Sequence, residues 1–249
     1  MRALFLADAH LVYPDDLNYR HFLTFLEGQL GHVDTLVLLG DIFEFWTGVQ
    51  RRPFAAQRPA LQLLKRFQEQ GTKIVYVEGN HDFNLAPYFA DWPNVTVLPD
   101  GGCFTLGGRE VFLAHGDLAN PEDRGYRLLR KVLRSAPLRW LAGILPLALS
   151  WRIAERASRQ SKRSRNEKSR RWPARDILLN YALDISRLGY PVILTGHFHQ
   201  PFHEQNDNFE LVALGDWIHQ FSYAVYEDSR FALKTYSPDE VTGPSSPSS

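Results

Sequence analysis

The chain has 249 residues with 28 Lys and Arg against 28 Asp and Glu, 44% hydrophobic residues and a single cysteine. That length fits one large domain or a domain with an insertion, and one cysteine excludes both an internal disulfide framework and a thiolate metal cluster. No stretch supplies the ~18 uninterrupted apolar residues of a membrane span, and the apolar start is interrupted by Asp8 and His10, too early for a signal peptide.

The predicted elements follow in chain order. Arg2–Ala7 reads as a buried strand, Leu17–Leu30 as a helix, Thr35–Gly40 as a strand, Pro59–Gln70 as a helix and Lys73–Gly79 as a strand. Val95–Leu98 and Arg109–Gly116 continue as strands. From Asp123 to Leu188 the pattern is helical only. Val192–Leu194, Pro201–Gln205, Glu210–Leu214, Phe221–Tyr226 and Phe231–Tyr236 then read as strands joined by tight turns. Strand–helix alternation early and strand runs late predict an α/β protein of two packed sheets flanked by helices. The helical segment reads as an insertion. The tail 237–249, rich in Pro, Ser and Gly, is expected to be disordered.

The balanced net charge conceals an asymmetry. Between Arg124 and Arg175 stand 16 Lys and Arg against two acidic residues, Glu155 and Glu167, so the segment carries +14 and the remainder −14. A basic block this separate points to an anionic partner.

Chemistry-bearing residues gather where strands end. Asp8 and His10 follow the first strand, Gly40-Asp41 the second, and Gly79-Asn80-His81-Asp82 the third. His115-Gly116-Asp117 ends the Val111–Ala114 strand, and Gly196-His197-Phe198-His199 ends the late one. Any one of these is ordinarily a turn residue or helix cap. Packing does not ask for histidine at four separate strand ends, however. The set offers carboxylate, amide and imidazole ligands without thiolate, which suits Mn, Fe or Zn. It is too large for one ion, and a carboxylate such as Asp41 can bridge two.

In this order the five motifs resemble those of the calcineurin-like metallophosphoesterases, from the start of the chain to about Tyr236. The resemblance implies a four-layer αββα sandwich with a helical cap insertion. Its core would be 1–122 and 189–236, and its cap 123–188. It also implies two divalent ions, one held by Asp8, His10, Asp41 and His199, the other by Asp41, Asn80, His115 and His197. Within that superfamily the chain is similar to the UDP-2,3-diacylglucosamine hydrolases of lipid A biosynthesis. The similarity rests on Leu4–Leu11, Leu38–Trp46 including Phe43-Glu44, Gly79–Phe83, His115–Asp117 before a basic helical insertion, and Gly196–Pro201. Those enzymes split the pyrophosphate of a diacylated sugar nucleotide into UMP and a lipid monophosphate. Positions matching their substrate contacts are Asn80, His81, Asp123, Ser161, Arg165, Lys168 and His197. Two positions depart from the best-known branch, which has Arg where this chain has His81 and Asn where it has Arg165. A generic dinuclear-metal phosphodiesterase or phosphatase acting on nucleotides or other phosphoesters is the alternative.

The expected chemistry is in-line attack of hydroxide on phosphorus, two cations lowering the pKa of water and withdrawing charge from the phosphoryl oxygens. Asp41 and His81 are the catalytic candidates. His81, left over once Asn80 serves as ligand, is placed to donate to the phosphoryl group or the leaving oxygen. Asp82 and Asp117 are expected as hydrogen-bonding partners that orient the ligand histidines. In the insertion, Trp140–Leu149 is apolar almost all round, with arginines on both sides. It reads as a cap for acyl chains or a contact with the inner leaflet, which places the protein in the cytoplasm, peripheral on the inner membrane. A helical hairpin with a solvated basic face is the plainer reading. Nucleic acid is not expected, because the block lacks aromatic stacking platforms. Trp46, Trp92, Trp172 and Trp217 read as packing residues or surface anchors, and Cys103 as a buried apolar residue.

Overall fold

The computed structural model describes residues 1–50, 52–145 and 173–238. Along the chain run β1 (Ala3–Leu6), α1 (Leu17–Glu27), β2 (Thr35–Leu38), β3 (Trp46–Thr47), α2 (Arg58–Glu69), β4 (Lys73–Val77), β5 (Asp82–Phe83), α3 (Ala86–Phe89), β6 (Val95–Leu98), β7 (Gly102–Leu106) and β8 (Arg109–Leu113). After these come α4 (Arg124–Leu133), α5 (Ala136–Ile144), α6 (Ala174–Arg187), β9 (Val192–Thr195), β10 (Phe202–Gln205), β11 (Glu210–Ala213), β12 (Ser222–Glu227) and β13 (Arg230–Thr235).

One sheet has the order β13-β12-β1-β2-β4-β6 and the other β10-β11-β9-β8-β7, while β3 and β5 form a short ladder beside them. The side-chain period of two divides the strand residues between two cores. Ala3, Phe5, Val37, Val75 and Val77 point inward against Val111, Leu113, Leu194 and Val212 of the other sheet. Their neighbours Leu4, Leu6, Leu36, Leu38, Ile74 and Tyr76 pack outward beneath Phe22, Phe25 and Leu26 of α1 and Leu61, Leu64 and Phe67 of α2. On the far side Ile193, Leu211 and Ala213 pack under Leu178, Ala182 and Ile185 of α6. The result is helix, sheet, sheet, helix, and it explains why the central strands read as continuous apolar runs: both faces are covered.

β7 has no counterpart in the predicted elements. It lies between Gly101-Gly102 and Gly107-Gly108 and is only half buried, being the edge of its sheet. Cys103 sits on its outward side and is exposed, not buried as expected. Trp46 and Trp217 are buried, as packing residues should be. Among the described residues, no helix is long and apolar enough to cross a membrane.

Candidate metal centre

β1, β2 and β4 are mutually parallel, as are β8 and β9, so each set brings its C-terminal ends to one edge. The backbone ties these ends together. Asp8 N–H donates to Gly40 O at 3.0 Å, His10 N–H to Asp41 O at 2.9 Å, and Gly196 N–H across to His115 O at 2.8 Å. Asp8, His10, Asp41, His197 and His199 all have positive φ, between 46° and 72°. Each such residue costs about 1–3 kcal/mol, and strain of this kind concentrates where geometry serves chemistry. Gly79 is required by close approach, since a Cβ there would lie 2.1 Å from Asp41 Oδ1.

The side chains converge in two groups sharing one carboxylate. In the first, His199 Nε2 is 3.3 Å and His10 Nε2 3.9 Å from Asp8 Oδ1. In the second, His115 Nε2 is 3.3 Å from Asp41 Oδ2, 3.1 Å from Asn80 Oδ1 and 3.2 Å from His197 Nδ1. Asp41 Oδ2 also lies 3.9 Å from His10 Nε2, so it faces both groups. All seven residues expected as ligands therefore meet at one place.

The outer nitrogens are held by acceptors. His115 Nδ1 donates to Leu39 O at 2.7 Å, and His10 Nδ1 to Glu44 Oε2 at 3.0 Å. His199 Nδ1 faces Asp216 Oδ2 at 3.5 Å. These contacts fix the tautomers and turn Nε2 lone pairs inward. The inward atoms are thus acceptors facing acceptors. Asp8 Oδ1 and His10 Nε2 are buried without any hydrogen-bond partner. Hard oxygen and imidazole donors in this arrangement fit divalent cations.

Without an ion, protons take part of that role. Burial opposes charge on His115, but Asp41, Asp8 and Asp117 overcome it and raise its pKa to about 10. Burial and the neighbouring His115 push His197 down to about 4. Burial alone would raise Asp41, yet His115 and His81 hold it well below the usual carboxylate range.

His81 lies beside the groups without joining either pair of ligands. Its Nδ1 donates to Glu44 O at 2.8 Å, its N–H donates to Asp41 Oδ1 at 2.8 Å, and its ring meets His10 edge-on at 4.9 Å between centroids. His10, Glu44 and His81 themselves come close enough to form a third cluster of metal-ligating side chains.

Asp82 and Asp117 differ from the expectation drawn from adjacency. Asp82 accepts from the backbone N–H groups of Asp41, Ile42, Phe43 and Gly79 and from Tyr76 Oη, so it shapes the Asp41 turn rather than orienting a histidine. Asp117 accepts from Tyr126 Oη and from Arg130 Nε at 2.8 Å. The groups that do orient histidines are Glu44, the Leu39 carbonyl and Asp216. Asp216 had a signal in the sequence: Gly215-Asp216 follows β11 just as Gly40-Asp41 follows β2. Asp123 is the N-cap of α4, its Oδ1 accepting from Tyr126 N–H at 3.1 Å. Ser161, Arg165 and Lys168 lie outside the described residues.

Two interleaved Asp/His groups at the joined strand ends of an αββα sandwich define a dinuclear metallohydrolase. Residues 1–201 match the family model of the calcineurin-like phosphoesterases, and the chain belongs to that family. Named relatives are UDP-2,3-diacylglucosamine hydrolases. One from Shewanella sp. is 32% identical over 94% of this chain and 98% of its own length. One from Pseudomonas aeruginosa is 32% identical over 88% and 92%, and one from Aromatoleum aromaticum 31% over 87% and 89%. The protein is a hydrolase of the phosphoesterase class, a family that implies divalent metal ions.

Proposed function

We propose that the chain hydrolyses the pyrophosphate bond of UDP-2,3-diacylglucosamine, or a close lipid-linked sugar nucleotide, to UMP and a lipid monophosphate in lipid A biosynthesis. The carrying observation is the orientation of α4 and α5 beside the metal centre. An amphipathic helix on a soluble domain normally turns its apolar face inward. Here Arg127, Arg130 and Arg134 of the α4 segment bond to the core, while Leu128, Leu129, Val132 and Leu133 are exposed. Trp140, Leu141 and Ile144 of α5 extend the exposed apolar surface. Arg124, Lys131 and Arg139 remain exposed, but the apolar side chains are exposed beside them. This surface suits acyl chains and an inner-leaflet surface, and it agrees with the names of the relatives. On this reading 123–188 is a cap on a core of 1–122 and 189–236, and the protein works in the cytoplasm at the inner membrane.

Asp8, His10, Asp41 and His199 would hold one ion and Asp41, Asn80, His115 and His197 the other, with manganese the first choice and iron or zinc also suited to these mixed oxygen and imidazole donors. When bound, the pair supplies Lewis acidity and a water of lowered pKa. The chain's own contribution is position and protons. Asp41 fixes the spacing between the groups, and its Oδ1 anchors the backbone of His81. His81 Nδ1–H is committed to Glu44 O, which leaves Nε2 for the phosphoryl oxygen or the leaving group, to which it donates when the ring carries its second proton. Asn80 and His197 border the same space and would meet the substrate phosphates, with Asp123, Ser161, Arg165 and Lys168 contacting it from the cap.

Product analysis with UDP-2,3-diacylglucosamine and added Mn²⁺ tests the reading. UMP and the lipid monophosphate in equal amounts are expected. Turnover of bis-p-nitrophenyl phosphate with no cleavage of the lipid substrate would transfer the assignment to a generic phosphodiesterase.

A further inference from the structure

The turn carrying Asn80 is gripped from the helical insertion, outside the sandwich. Asn80 is also the only uncharged, non-imidazole ligand in the set, so its contribution to metal binding depends strongly on being held in place. Glu78, at the end of β4, closes the turn by accepting from Leu85 N–H through Oε1 at 2.6 Å. Its Oε2 accepts from Arg134 Nη1 at 2.8 Å. The same guanidinium donates through Nη2 to Gly79 O at 2.8 Å and through Nη1 to Pro99 O at 2.7 Å, and it covers the Phe83 ring at 5.5 Å. Arg134 therefore grips the residue before Asn80 by its carbonyl, the residue before that by its carboxylate, and the neighbouring Pro99 turn. Both Arg134 and Glu78 have mostly buried side chains. Only a planar fork with several donors can make these contacts together; a lysine cannot.

We propose that Arg134 is a positioning residue for the second metal. It locks the Asn80 turn to the end of α4, so that the helical insertion sets the geometry of the metal centre as well as bordering it. The proposal rests on Asn80 being a ligand of that ion. Arg130 makes a parallel link from α4 to Asp117, two residues beyond His115, so both connections reach the second group and neither reaches the first.

The test is a titration of chelator-stripped protein with Mn²⁺ alone, followed by calorimetry and by the spin-coupled electron paramagnetic resonance signal of a manganese pair. In Arg134→Met the first ion should bind as in wild type, and the second about 10–100-fold more weakly, as for other groups that orient ligands. The coupled signal should fade at stoichiometric metal and return in excess. Loss of one partner from a buried ion pair can unfold a protein, so the double variant Arg134→Met with Glu78→Gln is measured too. It has no unpaired buried charge, and the selective second-site loss should persist in it. Wild-type affinity at both sites in the double variant, or equal weakening of both, would overturn the proposal. Asn80→Ala separates the two layers of the argument: if it binds both ions like wild type, the ligand assignment is what has failed.

Discussion

His115 shows at the scale of one residue why the centre needs cations. Its Nε2 faces Asp41 Oδ2, Asn80 Oδ1 and His197 Nδ1 within 3.3 Å, and the two oxygens can only accept. A proton relieves this in the metal-free protein, which is the physical content of a pKa raised to about 10. The sign follows directly. A folded value above the ordinary histidine value of 6.5 contributes stability to the metal-free protein that is full below about pH 6.5 and lost as pH rises through about 10. A metal must expel that proton, so apparent affinity at the second site should rise with pH across the neutral range. Calorimetry of Mn²⁺ binding near pH 7.5, in buffers of different ionisation enthalpy, should show release of about one proton attributable to this site. Heats independent of buffer would refute the account. His81 makes a separate prediction. His81→Ala should retain both metals by elemental analysis yet lose roughly 10²–10⁴-fold in rate, as for a lost general acid or charge stabiliser. A rate loss that tracks metal loss would make His81 structural.

At the scale of elements, the strand ends were legible because five separate apolar runs each stop at a residue type that packing does not explain. The sandwich was legible for a related reason: strands covered on both faces must be apolar throughout. β7 was hidden because it is a short edge strand that begins at one glycine of a pair and runs into another pair. Glu44 and Asp216 were missed because one acidic residue in a loop ordinarily caps a turn; Gly215-Asp216 repeats the pattern of Gly40-Asp41, but the fold is what carries the two carboxylates to His10 and His199. The orientation of α4 was the hardest to foresee. Its arginines have the spacing of a solvated face, and nothing local says that Asp100, Asp117 and Glu78 wait on the core to receive them. That orientation makes the apolar residues available, and it predicts a separable defect. Polar replacement of Trp140, Leu141 and Ile144 together should weaken binding of the acylated substrate and adsorption to anionic vesicles. Hydrolysis of a small soluble phosphodiester should stay nearly unchanged. Acyl burial contributes about 0.8 kcal/mol per CH₂, and the chemistry lies elsewhere. Steady-state kinetics on both substrates and vesicle sedimentation give the comparison, and equal loss on both substrates in a folded variant would contradict it.

At the scale of the molecule, the centre sits on the seam between the two sheets. Asp8, His10, Asp41 and Asn80 come from the ends of β1, β2 and β4, whereas His115, His197 and His199 come from β8 and β9. Each proposed ion therefore takes ligands from both sheets. Without metal, the seam at this edge holds converging acceptors, five residues in strained backbone and a few backbone bonds such as Trp217 N–H to Asp8 O. With metal, the same contacts become attractive and tie the sheets together, though the apolar core between them is unaffected. The ions should therefore behave as ligands of the native state. An ion present at 100 times its dissociation constant adds about 2.7 kcal/mol, and in a domain of this size each kcal/mol raises Tm by about 2–4 °C. Thermal unfolding of the Mn²⁺-loaded protein should therefore occur at least several degrees above that of the chelated protein. Asp41→Asn should lose most of this difference, because Asp41 faces both groups, whereas His197→Ala should keep the share belonging to the first ion. Scanning calorimetry of the three proteins, with and without chelator, decides the matter. Identical Tm values for loaded and chelated wild type would mean that the ions do not bridge the sheets.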